Sequence, residues 1–171
     1  IHGLISKGAL TGKDSVPHAM YNDKTQKQTI VPNRNMIMLA IAAGYAVKIN
    51  ANEVFYGAHK SDSMYPDCRK EFVKALDTAL YLGNLWTPVE LKAPFCDMEK
   101  KDIVKLGLEL GVPYENTWSC YEGNDRPCMR CGTCLERTEA FLMNNTEDPL
   151  LTDSEWKEAV LLLKEISSSS G

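Results

Sequence analysis

Four cysteines that lie close together in the sequence are the strongest chemical signal in the chain. Cys120, Cys128, Cys131 and Cys134 are separated by seven, two and two residues. Two-residue gaps let a tight turn direct neighbouring sulfurs at one tetrahedral Zn²⁺ ion, and glycine and proline within the segment favour such turns. Four protein ligands leave no open position on the ion. The spacing therefore predicts a structural zinc site rather than a site of water activation.

The two other cysteines, Cys68 and Cys96, lie outside this pattern, and we expect Cys96 to be a packed thiol. The cysteine-rich segment 118–134 contains no histidine, which favours an all-cysteine site. A redox pair and reduced structural thiols are the alternatives to zinc.

A first group of polar residues, Asn33, Arg34 and Asn35, belongs to the segment VPNRN at 31–35. The segment stands at the start of a predicted helix, where free backbone N–H groups and a guanidinium suit an anion or the edge of a base. The alternative is that Asn33 or Asn35 caps the helix and Arg34 is solvated.

A second polar group fills the segment GAHKSDSMYPDCR at 57–69, directly after a predicted strand at 53–58. Ligands of open α/β sheets bind beyond the carboxyl ends of strands, where this loop is expected. The alternative is a solvated loop in which Asp67 caps the next helix and His59 is structural. The polar side chains of the segment include His59, Lys60, Asp62, Tyr65, Asp67 and Arg69.

The elements that must position these residues alternate between helices and short apolar strands, which predicts an α/β domain with a parallel sheet flanked by helices. We expect one domain over 1–166, a zinc-binding segment at 118–143, a flexible Ser/Gly tail at 167–171 and mostly loop at 1–32. The run 36–47 is apolar nearly all round and is expected to be covered on several sides. The patterns predict helices at 35–49, at 69–83 and at 98–110, the last of these capped by Asp97, a further helix that ends at about 144, and a second strand at 89–91. The last helix is expected to open with a Thr152–Glu155 capping box and to place Trp156, Val160 and Leu163 on one face.

The bulk composition excludes several classes of protein. With 44% apolar and 25% charged residues, the 171-residue chain is expected to be soluble and globular. A net charge of −4 argues against broad attraction to nucleic acid or anionic membrane. Neither a membrane span nor a secretory leader is evident, and we expect the protein to be cytoplasmic.

Taken together, VPNRN, GAHKSDSMYPDCR and WSCYEGNDRPCMRCGTC resemble the motifs of the 7-cyano-7-deazaguanine synthases, the QueC family. The segment ALTGKDSVP at 9–17 is also similar, so the resemblance covers about 9–143. It implies an adenine nucleotide alpha hydrolase-like fold of the PP-loop ATP pyrophosphatase superfamily. It also makes Cys120, Cys128, Cys131 and Cys134 the zinc ligands.

The resemblance implies a ligase that activates 7-carboxy-7-deazaguanine with ATP, forms the amide with ammonia and uses a second ATP to dehydrate the amide to the nitrile. Residues of both polar groups would line the substrate pocket. A homodimer is expected, with no membrane partner and no direct contact with nucleic acid. The substrate-binding residues it implies are Asn33, Arg34, Asn35, His59, Asp62, Tyr65, Asp67 and Arg69.

One departure from the family pattern concerns the Ser-Gly-Gly-x-Asp-Ser phosphate loop, which the sequence does not contain. Thr11–Ser15 is not an adequate substitute because no apolar strand precedes it and Pro17 would disturb the following helix. We therefore expect an N-terminally truncated chain, or a separate chain that supplies the loop. On either expectation, this chain alone neither binds ATP tightly nor makes nitrile, and release of AMP by it would contradict that.

Two other functions are compatible with the motifs. One is a zinc-knuckle module that binds nucleic acid or protein, although its basic stripe is missing because acidic residues are interspersed. The other is a related PP-loop tRNA-modifying enzyme such as a sulfurtransferase. That enzyme would need a reactive, exposed cysteine, and Cys68 is the candidate.

Overall fold

The computed structural model describes residues 8–12, 14–20 and 22–168, without the side chains of residues 23 and 24. Contacts group these residues into a first unit, Val31–Glu99, and a second unit formed by the described residues of 8–30 and 100–168. The single-domain boundary at residue 166 stays a prediction. The elements are α1 (Asp23–Gln28), α2 (Arg34–Lys48), β1 (Glu53–Phe55), α3 (Lys70–Gly83), β2 (Glu90–Lys92), α4 (Lys100–Glu109), α5 (Gly132–Met143) and α6 (Asp153–Ser168), with 3₁₀ turns at Lys60–Met64, Pro66–Cys68 and Tyr114–Asn116.

The first unit is a β-α-β arrangement. β1 and β2 pair in parallel, with Val54 opposite Leu91. Parallel strands need a long crossover connection, and α3 lies within it. The expected parallel sheet with helices is therefore confirmed.

The core of the first unit lies where α2 and α3 pack on the sheet. Apolar residues at helical spacing on both helices meet Val89 and Leu91 of the β2 region. These contacts hold the carboxyl end of β1, from which the polar loop departs, against a fixed framework. The buried residues are Leu39, Ala43, Ala46, Val73, Leu80, Val89 and Leu91.

One face of α2 is exposed, whereas the sequence predicted that it would be covered. Met38, Ile41 and Tyr45 are about 60% exposed, at 62, 62 and 59%. The expectation that 36–47 is covered on several sides is therefore wrong for the described structure. The helix buries the stripe that contains Leu39, Ala43 and Ala46 and presents the other face to solvent.

The second unit is built on α4, α5 and α6. Its core contains Val104, Phe141 and Trp156, with the ring of Tyr114 packed edge-on against Phe141 at a centroid distance of 5.0 Å. Leu163 of α6 is also buried, as its spacing from Trp156 predicted. This core supports the segment that carries the cysteines, because α5 begins within it.

Two helix boundaries differ from the sequence-based predictions. The segment 1–32, which was expected to be mostly loop, contains the short helix α1 at Asp23–Gln28. Helix α4 begins at Lys100, two residues after the predicted start, and the Asp97 carboxylate accepts a hydrogen bond from Lys70 Nζ at 2.5 Å. Helix α6 includes Ser167 and Ser168, which were assigned to a flexible tail.

The described residues include no helix that is both long enough and apolar enough to cross a bilayer.

The capping box that opens α6 gives a prediction about stability. Thr152 N–H donates to Glu155 Oε2 at 2.8 Å, and the pKa of Glu155 is lowered from 4.5 to about 2 by the Arg126 guanidinium first and by this N–H second. Glu155→Gln should lower the free energy of unfolding by about 1 kcal/mol at neutral pH. A depressed carboxyl pKa stabilises the fold above the unfolded value, so the difference should vanish as the pH falls from about 4.5 to about 2.

Chemical denaturation of both proteins across this pH range checks the prediction. Glu158→Gln is the matched control, because the Glu158 carboxylate is exposed and lies 3.9 Å from Arg130. A difference for Glu155→Gln that persists unchanged at pH 2 to 3 would contradict the capping explanation.

Candidate metal centre and candidate substrate site

The four predicted metal ligands come together in the second unit. Cys120 and Cys128 lie in the loop before α5, Cys131 is the N-cap residue of α5, and Cys134 lies in its first turn. Their sulfur atoms are all within 4.8 Å of one another, and Cys128 Sγ is 4.0 Å from Cys134 Sγ. Tetrahedral zinc with Zn–S bonds of about 2.3 Å requires sulfurs about 3.8 Å apart. The sulfur spacing thus suits a single ion.

Backbone N–H groups donate hydrogen bonds to two of the four cysteine sulfurs. The backbone N–H groups of Glu122 and Cys128 point at Cys120 Sγ at 3.4 and 3.3 Å, and the N–H of Cys131 points at Cys128 Sγ at 3.3 Å. Donors aimed at sulfur favour its charged form. Met129 adopts a left-handed backbone with φ 59° between two ligands, so the tight turn is made there without glycine.

The thiols have unequal pKa values in the absence of an ion. A hydrogen bond with Cys134 lowers the pKa of Cys131 to about 4, against the opposing effect of burial, and the Thr133 hydroxyl adds to the lowering. The same hydrogen bond and burial raise the pKa of Cys134, and burial raises that of Cys128 to about 11. A divalent cation must therefore displace protons from thiols that otherwise keep them.

All six cysteines are free thiols, which excludes disulfides as the explanation of the cluster. Cys120, Cys131 and Cys134 are buried, so a bound ion would be shielded from solvent on most sides. Four sulfurs and little access suit a structural ion. The four cysteines thus fit a metal ion on donor type, spacing and burial.

A buried ion pair that the sequence did not reveal braces this centre. Arg137 donates from Nη2 to Asp148 Oδ1 at 2.7 Å and from Nε to Asp148 Oδ2, and it also donates to Thr117 Oγ1 at 2.7 Å and to the Tyr114 carbonyl at 3.1 Å. Arg137 follows Cys134 by one helical turn on α5. The sequence offered no signal for it, because Arg137 stands between Glu136 and Glu139, as on an ordinary solvated helix face. Charged side chains are seldom buried unless paired, so the pair points to a structural role.

In the first unit, the predicted VPNRN group begins α2. Asn33 has a left-handed backbone with φ 56° and occupies the N-cap position, but its side chain makes no capping hydrogen bond. Arg34 Nε donates to Asn35 Oδ1 at 3.3 Å. The side chain of Asn33 is exposed, which leaves the capping alternative without its expected contact at this residue.

The second polar group follows the carboxyl end of β1, as predicted. His59 is buried and its Nε2 lies 3.1 Å from Asp62 Oδ2. Tyr65 joins the two 3₁₀ turns, with its backbone N–H bonded to the Asp62 carbonyl at 2.9 Å. Arg69 Nε donates to the Ser63 carbonyl at 2.7 Å. These bonds fold the loop back on itself.

Asp67 does not cap α3, because Arg69 is the N-cap residue and Asp67 lies within a 3₁₀ turn. Its backbone carbonyl instead accepts a hydrogen bond from Tyr56 Oη at 3.1 Å. The same phenol lies 3.3 Å from Cys68 Sγ, and Asn35 Nδ2 lies 3.9 Å from that sulfur. Residues of both predicted groups therefore meet around Cys68.

No sequence motif pointed to Tyr56 as a functional residue; it follows β1 directly. Burial and the hydrogen bond with Cys68 raise its pKa well above the usual value. Burial likewise raises the pKa of Cys68 to about 11, so its thiol is protonated near neutral pH. A buried, protonated thiol is a poor nucleophile.

The described backbone around Thr11–Ser15 agrees with the prediction that this segment is not a phosphate loop. Gly12 N–H donates to the Gly8 carbonyl within a turn, and the described residues at 14–20 include no helix. Lys13 lies outside the described residues. Phosphate binding at a loop of this kind needs a helix N-terminus.

Comparison with known proteins adds the evidence that the geometry alone lacks. The family model described as queuosine biosynthesis protein QueC matches residues 1–145. The chain belongs to the QueC family. The resemblance seen in its motifs is thereby confirmed.

Curated relatives in the QueC family agree with this assignment. The chain is 71% identical to the 7-cyano-7-deazaguanine synthase of Archaeoglobus fulgidus over 97% of the chain and 70% of that protein. It is 53% identical to the synthase of Caldicellulosiruptor bescii over 85% of the chain and 66% of the relative, and 49% identical to that of Marinobacter nauticus over 86% and 66%. The chain spans about two thirds of the length of these relatives.

Proposed function

We propose that this chain acts in the ATP-dependent conversion of 7-carboxy-7-deazaguanine and ammonia to 7-cyano-7-deazaguanine. The observation that carries the proposal is the 71% identity to a protein named for this activity, over 97% of the chain. The substrates are small molecules, and the activity is that of a carbon–nitrogen ligase.

We assign the chain to the adenine nucleotide alpha hydrolase-like fold of the PP-loop superfamily. Membership of the QueC family and the parallel pairing of β1 with β2 support this assignment. In such sheets the ligand binds beyond the carboxyl ends of the strands. The loop after β1 would then face the substrate.

The proposed reaction runs through two activations by ATP. The carboxylate attacks the first ATP to give an acyl adenylate and pyrophosphate, and ammonia displaces AMP to give the amide. The amide oxygen then attacks the α-phosphorus of a second ATP, which releases pyrophosphate and a proton and gives an O-adenylyl imidate. Loss of AMP and of the remaining N–H proton leaves the nitrile. Amides and cations that face developing negative charge would accelerate each step.

The substrate-binding roles are proposals for both polar groups. Asn33 and Arg34 offer hydrogen-bond donors to a base edge or a carboxylate at the start of α2. His59 and Asp62 form a pair at 3.1 Å that can hold or move a proton. The proposed substrate-binding residues are Asn33, Arg34, Asn35, His59, Asp62, Tyr65, Asp67 and Arg69.

The metal is proposed to be Zn²⁺, held by the sulfurs of Cys120, Cys128, Cys131 and Cys134. Soft thiolate donors in a four-sulfur set at this spacing favour zinc over hard cations. The ion would supply rigidity to the loop before α5 and no chemistry to the substrate.

The two alternative functions have less support. Arg126 and Arg130, the basic residues beside the cysteines, lie near Glu155 and Glu158, which disfavours a nucleic-acid-binding knuckle. A sulfurtransferase needs a reactive thiol, and Cys68 is buried with a raised pKa.

Three further expectations stay predictions: a homodimer, a cytoplasmic location, and a separate chain as one possible source of the phosphate loop. The exposed apolar face of α2, with Met38, Ile41 and Tyr45, supports an interface with a second copy. Sedimentation of the purified protein measures the first of these directly.

The role of Asp62 gives a direct test. In the protein that carries this sequence, Asp62→Asn should lower kcat/KM for nitrile formation by about tenfold or more, because the amide cannot replace a carboxylate paired with His59. Nitrile is measured by mass spectrometry in the presence of ATP, ammonium and 7-carboxy-7-deazaguanine.

Glu71→Gln is the matched control, since Glu71 is an exposed carboxylate in the first turn of α3 and should have no effect. The function is contradicted if the unsubstituted protein, supplied with any phosphate-loop chain it requires, forms neither amide nor nitrile. Equal activities of Asp62→Asn and Glu71→Gln would remove Asp62 from the proposed site.

A further inference from the structure

Three segments of the first unit meet at one small polar cluster, formed by Asn35, Tyr56, Asp67 and Cys68. Asn35 comes from the first turn of α2, Tyr56 from the end of β1, and the other two from the 3₁₀ turn Pro66–Cys68. The cluster thus joins both polar groups that are proposed to bind the substrate. It lies within one unit, on the framework of the α2–α3–sheet core.

The hydrogen-bond roles in this cluster follow from the protonation states. Burial raises the pKa of Tyr56 and of Cys68, so both groups are neutral near pH 7. The phenol has one proton, and the Asp67 carbonyl at 3.1 Å can only accept it. The Cys68 thiol can then donate to the phenol oxygen at 3.3 Å or to Asp67 Oδ1 at 3.9 Å, and the Asn35 amide N–H points at the sulfur at 3.9 Å.

A series of polar contacts therefore runs from the Asn35 amide through Cys68 Sγ and Tyr56 Oη to the Asp67 carbonyl. We propose that Tyr56 and Cys68 are positioning residues, which fix the 57–69 loop relative to the start of α2 so that both can contact the substrate. Neither residue touches the reacting atoms. The proposal rests on the proposed function for its kinetic consequences, but the cluster itself can be tested without it.

The positioning role has an energetic basis in the Asp67 backbone carbonyl. This partly buried carbonyl would lose its hydrogen-bond partner if the Tyr56 phenol were removed. An unpaired, desolvated carbonyl is unfavourable, so the turn Pro66–Cys68 would shift toward water. Asp67 and Arg69 would move with it, away from Asn35. Small displacements of binding groups weaken substrate binding strongly, because the contacts depend on geometry.

Tyr56→Phe removes the phenolic hydroxyl and keeps the ring. We expect KM for 7-carboxy-7-deazaguanine to rise about fivefold to tenfold, with kcat changed less than KM. Cys68→Ala should behave similarly, whereas Cys68→Ser keeps a donor to the phenol and should stay within about threefold of the unsubstituted protein. Tyr81→Phe is the matched control, because Tyr81 is 52% exposed on α3 and lies outside both polar groups.

The double variant Tyr56→Phe/Cys68→Ala shows whether the two residues act together or whether each substitution has an independent structural effect. If the two residues act as one unit, its KM should be no higher than that of the worse single variant. The proposal would be overturned if the two single effects multiplied in the double variant, or if the KM of Tyr56→Phe equalled that of Tyr81→Phe. So would a serine variant as impaired as the alanine variant.

The rate at which iodoacetamide alkylates Cys68 tests the cluster independently of enzymatic activity. This rate is measured by mass spectrometry of the peptide that contains Cys68. Tyr56→Phe should raise the rate at least about fivefold, because a freed turn exposes the thiol. An unchanged rate rejects the cluster even in an inactive protein. Failure of the unsubstituted protein to form nitrile, with a raised rate in Tyr56→Phe, would reject the proposed function and keep the cluster.

Discussion

Cys131→Ser should abolish stoichiometric zinc binding and unfold the segment that carries the four cysteines. Cys131 is fully buried, its Sγ lies 3.2 Å from the Thr133 hydroxyl, and it is the N-cap residue of α5. Structural zinc contributes on the order of 10 kcal/mol to folding its segment. Loss of an outer hydrogen bond alone weakens metal affinity by about 10- to 100-fold, so loss of a sulfur ligand should weaken it by more than about 100-fold.

Zinc content of the purified protein and its retention against a chelator provide the measurement. Cys96→Ser is the matched control, because Cys96 is a partly buried thiol outside the cluster and should leave one zinc per chain. A Cys131→Ser protein that retains one zinc with unchanged chelator resistance would contradict the four-sulfur site.

A measurement on the unsubstituted protein tests the metal site even if Cys131→Ser does not fold. Trp118 Nε1 donates to the Cys120 carbonyl at 2.9 Å, which places an indole beside the first ligand. Removal of the ion should therefore change the Trp118 fluorescence, and Trp118→Phe should lack this change. Because bound thiols must lose their protons, zinc should also be released more readily as the pH falls.

Asp148→Ala should strongly destabilise the second unit. It leaves the Arg137 guanidinium buried at 9% exposure without its carboxylate. Breaking a buried ion pair from one side costs about 3 to 5 kcal/mol, because the remaining charge is uncompensated. Denaturant unfolding of the zinc-loaded protein measures the loss.

The exposed pair of Lys70 and Asp97 provides the control. Its atoms are 2.5 Å apart, but both side chains are more than half exposed, so Asp97→Ala should cost no more than about 1 kcal/mol. The double variant Arg137→Met/Asp148→Leu should recover part of the loss, since it leaves no buried charge. A loss below about 1 kcal/mol for Asp148→Ala would show that the pair is not a structural brace.

The buried pair and the cysteine site should be coupled through α5. Arg137 stands one turn after Cys134 and holds Thr117 and the Tyr114 carbonyl, which precede Cys120 in the chain. One side chain thus links the segment that leads to Cys120 with the helical turn that follows Cys134. Zinc retention in Asp148→Ala should fall by about 10- to 100-fold if this outer contact orients the ligands.

Much of the site could be predicted from the sequence because its determinants are local. Two-residue gaps between cysteines restrict the geometry of a short segment, whatever surrounds it. Apolar spacing similarly placed Trp156 and Leu163 on the buried face of α6, and the Thr152–Glu155 pattern marked its first turn. The family motifs are likewise contiguous stretches of sequence.

Long-range contacts decided the rest. The bonds from Tyr56 to the Asp67 carbonyl and from Arg137 to Asp148 span eleven residues each, and nothing in the local sequence fixes such a partner. The exposed face of α2 is a matter of which elements cover it, so its apolar composition misled the prediction. Residue types and spacing determined the chemistry available to this chain, and packing decided which side chains meet, because burial and hydrogen-bond partners depend on segments that are distant in sequence.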